Sequence, residues 1–127
     1  MNVVDSSAWL EYFANGPGAG FFATAIEDSS RLVVPTICLL EVFKRVLQQK
    51  AEGAALQAVA VMQHGQVHVM DSSIAISAAR LGVAHKLPLA DSVVLAVARH
   101  WAALLWTQDA DFQGLDNVRY LPKGRAR

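Results

Sequence analysis

Asp5, Glu41, Asp91 and Asp109 are far apart along this 127-residue chain, yet each falls where alternating strands and helices would bring it to one edge of a sheet. Asp5 ends the apolar run Asn2-Val3-Val4, and Asp109 follows the apolar run Ala102 to Trp106, so both read as polar residues just past a buried strand. Asp91 opens a helix after the turn Leu87-Pro88-Leu89, and Glu41 lies roughly one and a half turns into the helix that follows a second strand. Ligands of open parallel sheets bind at the carboxyl ends of the strands. Carboxylates gathered there would repel and raise one another's pKa unless cations occupied the gap, so the set points to a metal site. Carboxylate and water oxygens suit Mg2+ and Mn2+. Two such ions can activate a water molecule, orient a phosphorus and offset charge on a leaving oxygen, so phosphodiester hydrolysis there needs no covalent nucleophile.

Each acid also has an ordinary explanation. Asp5 in Asp5-Ser6-Ser7 could cap a helix. Glu41 stands four residues before Arg45, on a polar helix face with Lys44 and Gln48, where an exposed ion pair is expected. Asp91 in a first helical turn meets the helix dipole favourably. Thr107-Gln108-Asp109-Ala110-Asp111-Phe112 could be a capped turn, although two acids two residues apart directly after a buried strand form the strongest local signal.

The elements that must position these groups follow from hydrophobic pattern and turn residues. Residues 2–4 read as a strand, and Asp5-Ser6-Ser7 as caps for a helix bearing Ala8, Trp9, Leu10, Tyr12 and Phe13 that stops at Asn15-Gly16-Pro17-Gly18. A short helix is predicted around 21–28, a strand over 31–34 ended by Pro35, and a helix over 37–50 capped by Thr36. Gly53 is expected to separate that helix from another reaching about His64. A strand at 66–70 leads to an Asp71-capped helix ending near His85. A helix over 90–101, a strand over 103–106 and an edge strand over 118–121 complete the chain. The alternation predicts an α/β fold, a mostly parallel central sheet with helices on both faces, as one domain over residues 1–127.

Composition agrees. With 54% hydrophobic and 17% charged residues the chain can bury a sizeable core, which excludes global disorder. Bases and acids balance at 11 each, but setting aside Asp5, Glu41, Asp91, Asp109 and Asp111 for bound cations leaves 6 acids against 11 bases. A polyanion would then meet a basic surround. Cys38, among Ile37, Leu39 and Leu40, reads as a buried thiol. The start Met-Asn-Val-Val-Asp lacks a basic segment followed by an apolar one, and the run Val93 to Ala98 is too short to span a bilayer, so a cytoplasmic protein is expected.

Taken together, Asp5-Ser6-Ser7-Ala8-Trp9-Leu10-Glu11-Tyr12, Glu41 on the third helix, Leu89-Ala90-Asp91-Ser92 and Leu105-Trp106-Thr107-Gln108-Asp109-Ala110-Asp111-Phe112 resemble a PIN-domain ribonuclease of the VapC toxin type. The resemblance covers essentially the whole chain, with the four motifs in order. It implies a Mg2+- or Mn2+-dependent endoribonuclease, the toxin of a type II toxin–antitoxin pair, that hydrolyses RNA with metal-activated water. Asp5, Glu41, Asp91 and Asp109 would form the catalytic quartet. Asp5, Asp91 and Asp109 would ligate metal, and Glu41 would either ligate it through water or orient the attacking water. Asp111 would be an auxiliary acid, and Ser6 and Thr107 would support the carboxylates. The resemblance also implies a homodimer and a VapB-type antitoxin whose tail packs in a groove, to which Trp9, Tyr12, Phe13, Phe21 and Phe22 are expected to contribute.

Basic groups available to an RNA backbone are Lys44, Arg45, Arg80, Lys86, Arg99, Lys123, Arg125 and Arg127. His64, His68, His85 and His100 have neither zinc-site spacing nor a triad partner and receive no catalytic role. A phospho-acceptor receiver domain would need adjacent acids after the first strand, where this chain has Asp5-Ser6. A catalytically silent RNA- or partner-binding module is the alternative within the same fold, and a small-molecule phosphatase would share the water-activating chemistry.

Overall fold

The computed structural model describes residues 1–125; Arg127, one of the basic groups named above, lies outside them. Five short strands carry the sheet: β1 (Asn2–Val4), β2 (Leu32–Pro35), β3 (Gln66–His68), β4 (Leu104–Thr107) and β5 (Val118–Tyr120). Six helices connect them: α1 (Ser6–Phe13), α2 (Ala19–Ile26), α3 (Thr36–Gln49), α4 (Glu52–Met62), α5 (Ser72–His85) and α6 (Leu89–His100). The order is β3-β2-β1-β4-β5, and every neighbouring pair is parallel. The sheet is thus parallel throughout rather than mostly so. Such a sheet must be covered on both faces, which is why Val3, Val4, Leu32, Val33, Val34 and Leu105 form unbroken apolar runs and are almost wholly buried.

Topology determines where a site can form. From β1 the chain moves outward through β2 to β3, then returns through α5 and α6 to β4 on the other side of β1. Right-handed crossovers in these opposite directions put α1 to α4 on one face and α5 and α6 on the other. The reversal makes the carboxyl ends of β1 and β4 the switch point of the sheet, where a crevice opens.

Local chemistry explains most element ends. The Asp71 side chain accepts from Ile74 N at 2.9 Å, capping α5 as predicted. Thr36 does not cap α3: β2 runs straight into the helix, with Pro35 in the N-cap position and Thr36 its first residue. Gly53 lies in the first turn of α4 rather than before it, because the chain breaks at Lys50-Ala51, where both residues leave helical backbone angles. The aromatic stretch expected in an exposed groove is largely core. Trp9 and Phe22 are fully buried, Trp9 stacks on Phe13 with centroids 5.7 Å apart, and Phe21 lies 5.1 Å from the Trp106 ring. Cys38 is buried, its Sγ directed at Val4 O, and burial pushes its thiol pKa far up. Among the described residues no single helix is long and apolar enough to cross a membrane; α5 and α6 would qualify only as a pair bent by 114°.

Gly65 lets β3 lie close against β2. A Cβ there would sit 2.9 Å from Leu32 O and 3.0 Å from Leu32 and Val34 side-chain carbons. The Leu32 backbone cannot yield without disturbing the sheet. We expect Gly65→Ala to destabilise the protein by about 1–3 kcal/mol, measured by urea unfolding.

Candidate active site

β1 stops at Val4, and the next residue joins three structures. Asp5 N donates to Trp106 O at 2.9 Å, continuing the β1–β4 ladder, while Asp5 O accepts from Ala8 N and Trp9 N at 3.0 Å to start α1. Its carboxylate does not cap the helix. Instead Oδ2 accepts from Ser7 Oγ at 2.6 Å and from Thr107 Oγ1 at 3.0 Å. Asp5 is only 3% exposed, so those hydroxyls replace solvation that the fold has removed.

The remaining acids arrive from the elements predicted to carry them. Glu41 Oε1 accepts from Ser6 Oγ at 2.7 Å, so its partner is the first turn of α1 rather than Arg45. Arg45 faces the next helical turn, where its Nε and Nη2 would donate to the Gln49 amide oxygen at 3.1 and 3.2 Å once that amide is turned over. Asp91 stands in the first turn of α6. Asp109 follows β4; its backbone N–H donates to Thr107 Oγ1 at 2.9 Å and its Oδ1 accepts from Asp111 N at 2.9 Å. Thr107 is fully buried and its one hydroxyl links Asp5 to the Asp109 backbone.

Asp91, Asp109 and Asp111 offer carboxylate oxygens that all lie within 4.8 Å of one another. Among the described residues, the trio close enough to share a cation therefore contains exposed Asp111, which the sequence reading made auxiliary, and does not include Asp5. The Asp91 carboxyl is pushed up to about 8, first by burial and then by the charges of Asp5 and Asp109. Burial also raises Asp5; the Ser7 and Thr107 hydroxyls oppose that shift, and Asp109 and Glu41 add to it. The donor set is all carboxylate oxygen, from four aspartates on three segments, and its mutual repulsion is what a hard cation relieves. These residues fit Mg2+ or Mn2+.

A cleft of about 1070 Å3 contains Asp5, Ser6, Glu41, Asp91 and Asp109 in its walls. Thr107 and Asp111 support it from outside the lining. Lys44, Arg45 and Lys123 from the predicted basic set also line it, joined by Lys50, whereas Arg80, Lys86, Arg99 and Arg125 do not. Of the five aromatic residues expected in a groove, Phe13 reaches the cleft. Two polar residues escaped the sequence reading. Ser7 holds Asp5, and Gln108 holds Ser7, donating from its backbone N–H to Ser7 Oγ at 3.4 Å and from Nε2 to Ser7 O at 3.3 Å. The signal for Ser7 was its hydroxyl two residues from Asp5, which capping explained equally well.

Comparison with known proteins agrees with this fold. The sequence profile of the PIN domain matches residues 3–118. Among solved structures, the chain is similar to a toxin–antitoxin complex from Klebsiella pneumoniae, with TM-score 0.78, 20% identity and coverage of 94% of this chain and 96% of that one. It is also similar to Mycobacterium tuberculosis VapC20, a sarcin–ricin-loop-cleaving toxin (TM-score 0.76, 20% identity, 94% and 99% coverage). A third similar structure is VapBC-1 from nontypeable Haemophilus influenzae (TM-score 0.72, 16% identity, 95% and 96% coverage). No curated protein sequence matches the chain.

The raised Asp91 carboxyl makes stability depend on pH. In the unfolded chain it titrates near the ordinary aspartate value of 3.8, so between there and about 8 the folded state binds the extra proton. Stability from that proton is complete below the unfolded value and is lost as pH rises through about 8. Melting curves in EDTA from pH 5 to 9 should therefore fall with pH, and Asp91→Asn should flatten the fall and raise Tm at pH 9 by a few degrees, of the order that about 1 kcal/mol produces.

Proposed function

Because the chain belongs to the PIN-domain family, we propose that it is a Mg2+- or Mn2+-dependent endoribonuclease, a single domain over residues 1–127 acting as the toxin of a type II toxin–antitoxin pair. The observation that carries this reading is the meeting of Asp5, Glu41, Asp91 and Asp109 in one cleft that also holds basic side chains. Asp5, Asp91 and Asp109 would hold the cation, with Asp111 close enough to assist. Bound there, a divalent cation supplies positive charge against the scissile phosphate and makes a water molecule more acidic.

The chain's own residues do the rest. Glu41, fixed by Ser6 at 2.7 Å, is oriented to accept a proton from the attacking water. Lys44, Arg45, Lys50 and Lys123 offer contacts to phosphates on either side of the cut, and Leu10, Phe13 and Leu40 offer apolar surface against which unpaired bases can lie. Thr107 and Ser6 hold the Asp5 and Glu41 carboxylates in place.

Partners follow from the same reading. Similar folds have been solved as toxin–antitoxin complexes, which supports a VapB-type antitoxin for this chain. Leu40, Leu56 and Val61 on α3 and α4 are exposed, Leu40 and Val61 within the cleft wall, and give an antitoxin segment an apolar seat. Exposed Ile76 and Val83 on α5 and Leu89 on α6 favour a second copy of the chain, a homodimer.

Purified, partner-free protein should cut a panel of structured RNAs with Mg2+ or Mn2+ and not in EDTA. Asp5→Asn and Asp91→Asn should each lower the rate at least about 100-fold while remaining folded. Failure to cut any RNA while binding it would instead favour the silent binding module. A second test concerns the basic residues. Lys44→Glu combined with Lys123→Glu should raise KM for RNA about tenfold, leave kcat nearly unchanged and reduce the salt dependence of binding.

A further inference from the structure

Each hydroxyl has one proton to donate, and accounting for those protons separates Ser7 from an ordinary helix-start serine. Ser7 Oγ donates to Asp5 Oδ2 at 2.6 Å. Thr107 Oγ1 donates to the same oxygen at 3.0 Å and accepts from Asp109 N. Both protons are therefore committed, and the 3.5 Å approach of the two hydroxyls to each other is a packing contact. Asp5 Oδ2 is saturated by two donors. Oδ1 has no hydrogen-bond partner among the described residues, and Asp5 lines the cleft, so Oδ1 is the oxygen left for it.

We propose that Ser7 is a positioning residue of the metal site: its hydroxyl occupies Asp5 Oδ2 so that Oδ1 is the ligand atom presented to the cleft. The inference rests on the metal-dependent reading above and extends it to a residue that acts through Asp5. Ser7 is itself anchored. The Gln108 backbone N–H approaches Ser7 Oγ at 3.4 Å and Gln108 Nε2 donates to Ser7 O at 3.3 Å, which couples the first turn of α1 to the segment carrying Asp109. Ser7 thus fixes Asp5 directly and Asp5 relative to Asp109 indirectly. Without it, Thr107 alone would restrain the carboxylate, which could then rotate and offer either oxygen. Partners that orient metal ligands typically govern affinity by about 10–100-fold.

The test uses the full chain without RNA and reads Mn2+ binding from loss of the free-ion electron paramagnetic resonance signal. Wild type, Ser7→Ala and Ser7→Thr are compared, with melting in EDTA to confirm that each is folded. We expect Ser7→Ala to bind Mn2+ at least about tenfold more weakly and Ser7→Thr, which keeps the hydroxyl, to bind like wild type. The Mg2+ concentration for half-maximal RNA cleavage should shift in parallel, with the rate at saturating Mg2+ largely kept. If Ser7→Ala fails to fold, Ser7→Cys keeps the branching pattern of the side chain while weakening the donor and should show the same loss. Unchanged Mn2+ binding in Ser7→Ala, or equal loss in Ser7→Thr, overturns the positioning role and leaves the metal site standing. A wild-type protein that binds no Mn2+ overturns the metal site and this inference together.

Discussion

Repulsion among carboxylates that the fold has removed from water is the constraint on which the rest of the structure depends. β1 and β4 are neighbouring strands, so acids just past their carboxyl ends come within reach of each other whether or not their charges allow it. Asp5 is almost wholly buried, so water screens it poorly. Such an edge would splay if the strands were loosely held. The buried apolar runs of β1, β2 and β4, covered on both faces, resist this, as does the continuation of the ladder through Asp5 N to Trp106 O. The core near the switch point therefore acts as a clamp on the site.

Hydroxyls and helix ends answer the same repulsion locally. Ser6, Ser7 and Thr107 each direct a proton to a carboxylate oxygen of Glu41 or Asp5. Asp5 precedes α1 and Asp91 sits in the first turn of α6, so both anions also meet the positive ends of helix dipoles. The Ser7 and Thr107 hydroxyls oppose the rise at Asp5 without removing it, and among the described residues no such hydroxyl serves Asp91, whose carboxyl is pushed up to about 8. The residual strain is selective, because relieving it requires a cation and the surrounding donors are all hard oxygens.

Much of this was legible in the sequence because short-range pattern and topology coincide. Apolar runs ending in Asp5 and before Asp109 located β1 and β4, and Pro88 located the start of α6 that carries Asp91. The failures share a physical origin. Glu41 had an ideal helical partner in Arg45, but a serine 35 residues away took it instead. Ser7 beside Asp5 satisfied a capping pattern, and only Thr107, 100 residues distant, reveals that both hydroxyls serve the carboxylate. The aromatic cluster around Trp9 and Phe22 could have faced a partner or the core, and composition carries no orientation. Gly53 was read as a break because glycine is a poor helix former, yet α4 tolerates it in its first turn.

The overall neutrality of the chain conceals the electrostatics of the cleft. Among the described residues that line it, Asp5, Glu11, Glu41, Asp91 and Asp109 are five acids, while Lys44, Arg45, Lys50 and Lys123 are four bases. With every group ionised the cleft carries one excess negative charge and would discourage a polyanion from approaching the acids. The proton that Asp91 retains up to about 8 reduces that excess but also withholds a carboxylate from any cation. One divalent cation, binding with Asp91 ionised, would turn an excess negative charge into an excess positive one. On the proposed reading, metal binding would then do more than activate water: it would reverse the sign of the field that an RNA backbone meets, so that the acids needed for chemistry become compatible with substrate only once the cation is in place.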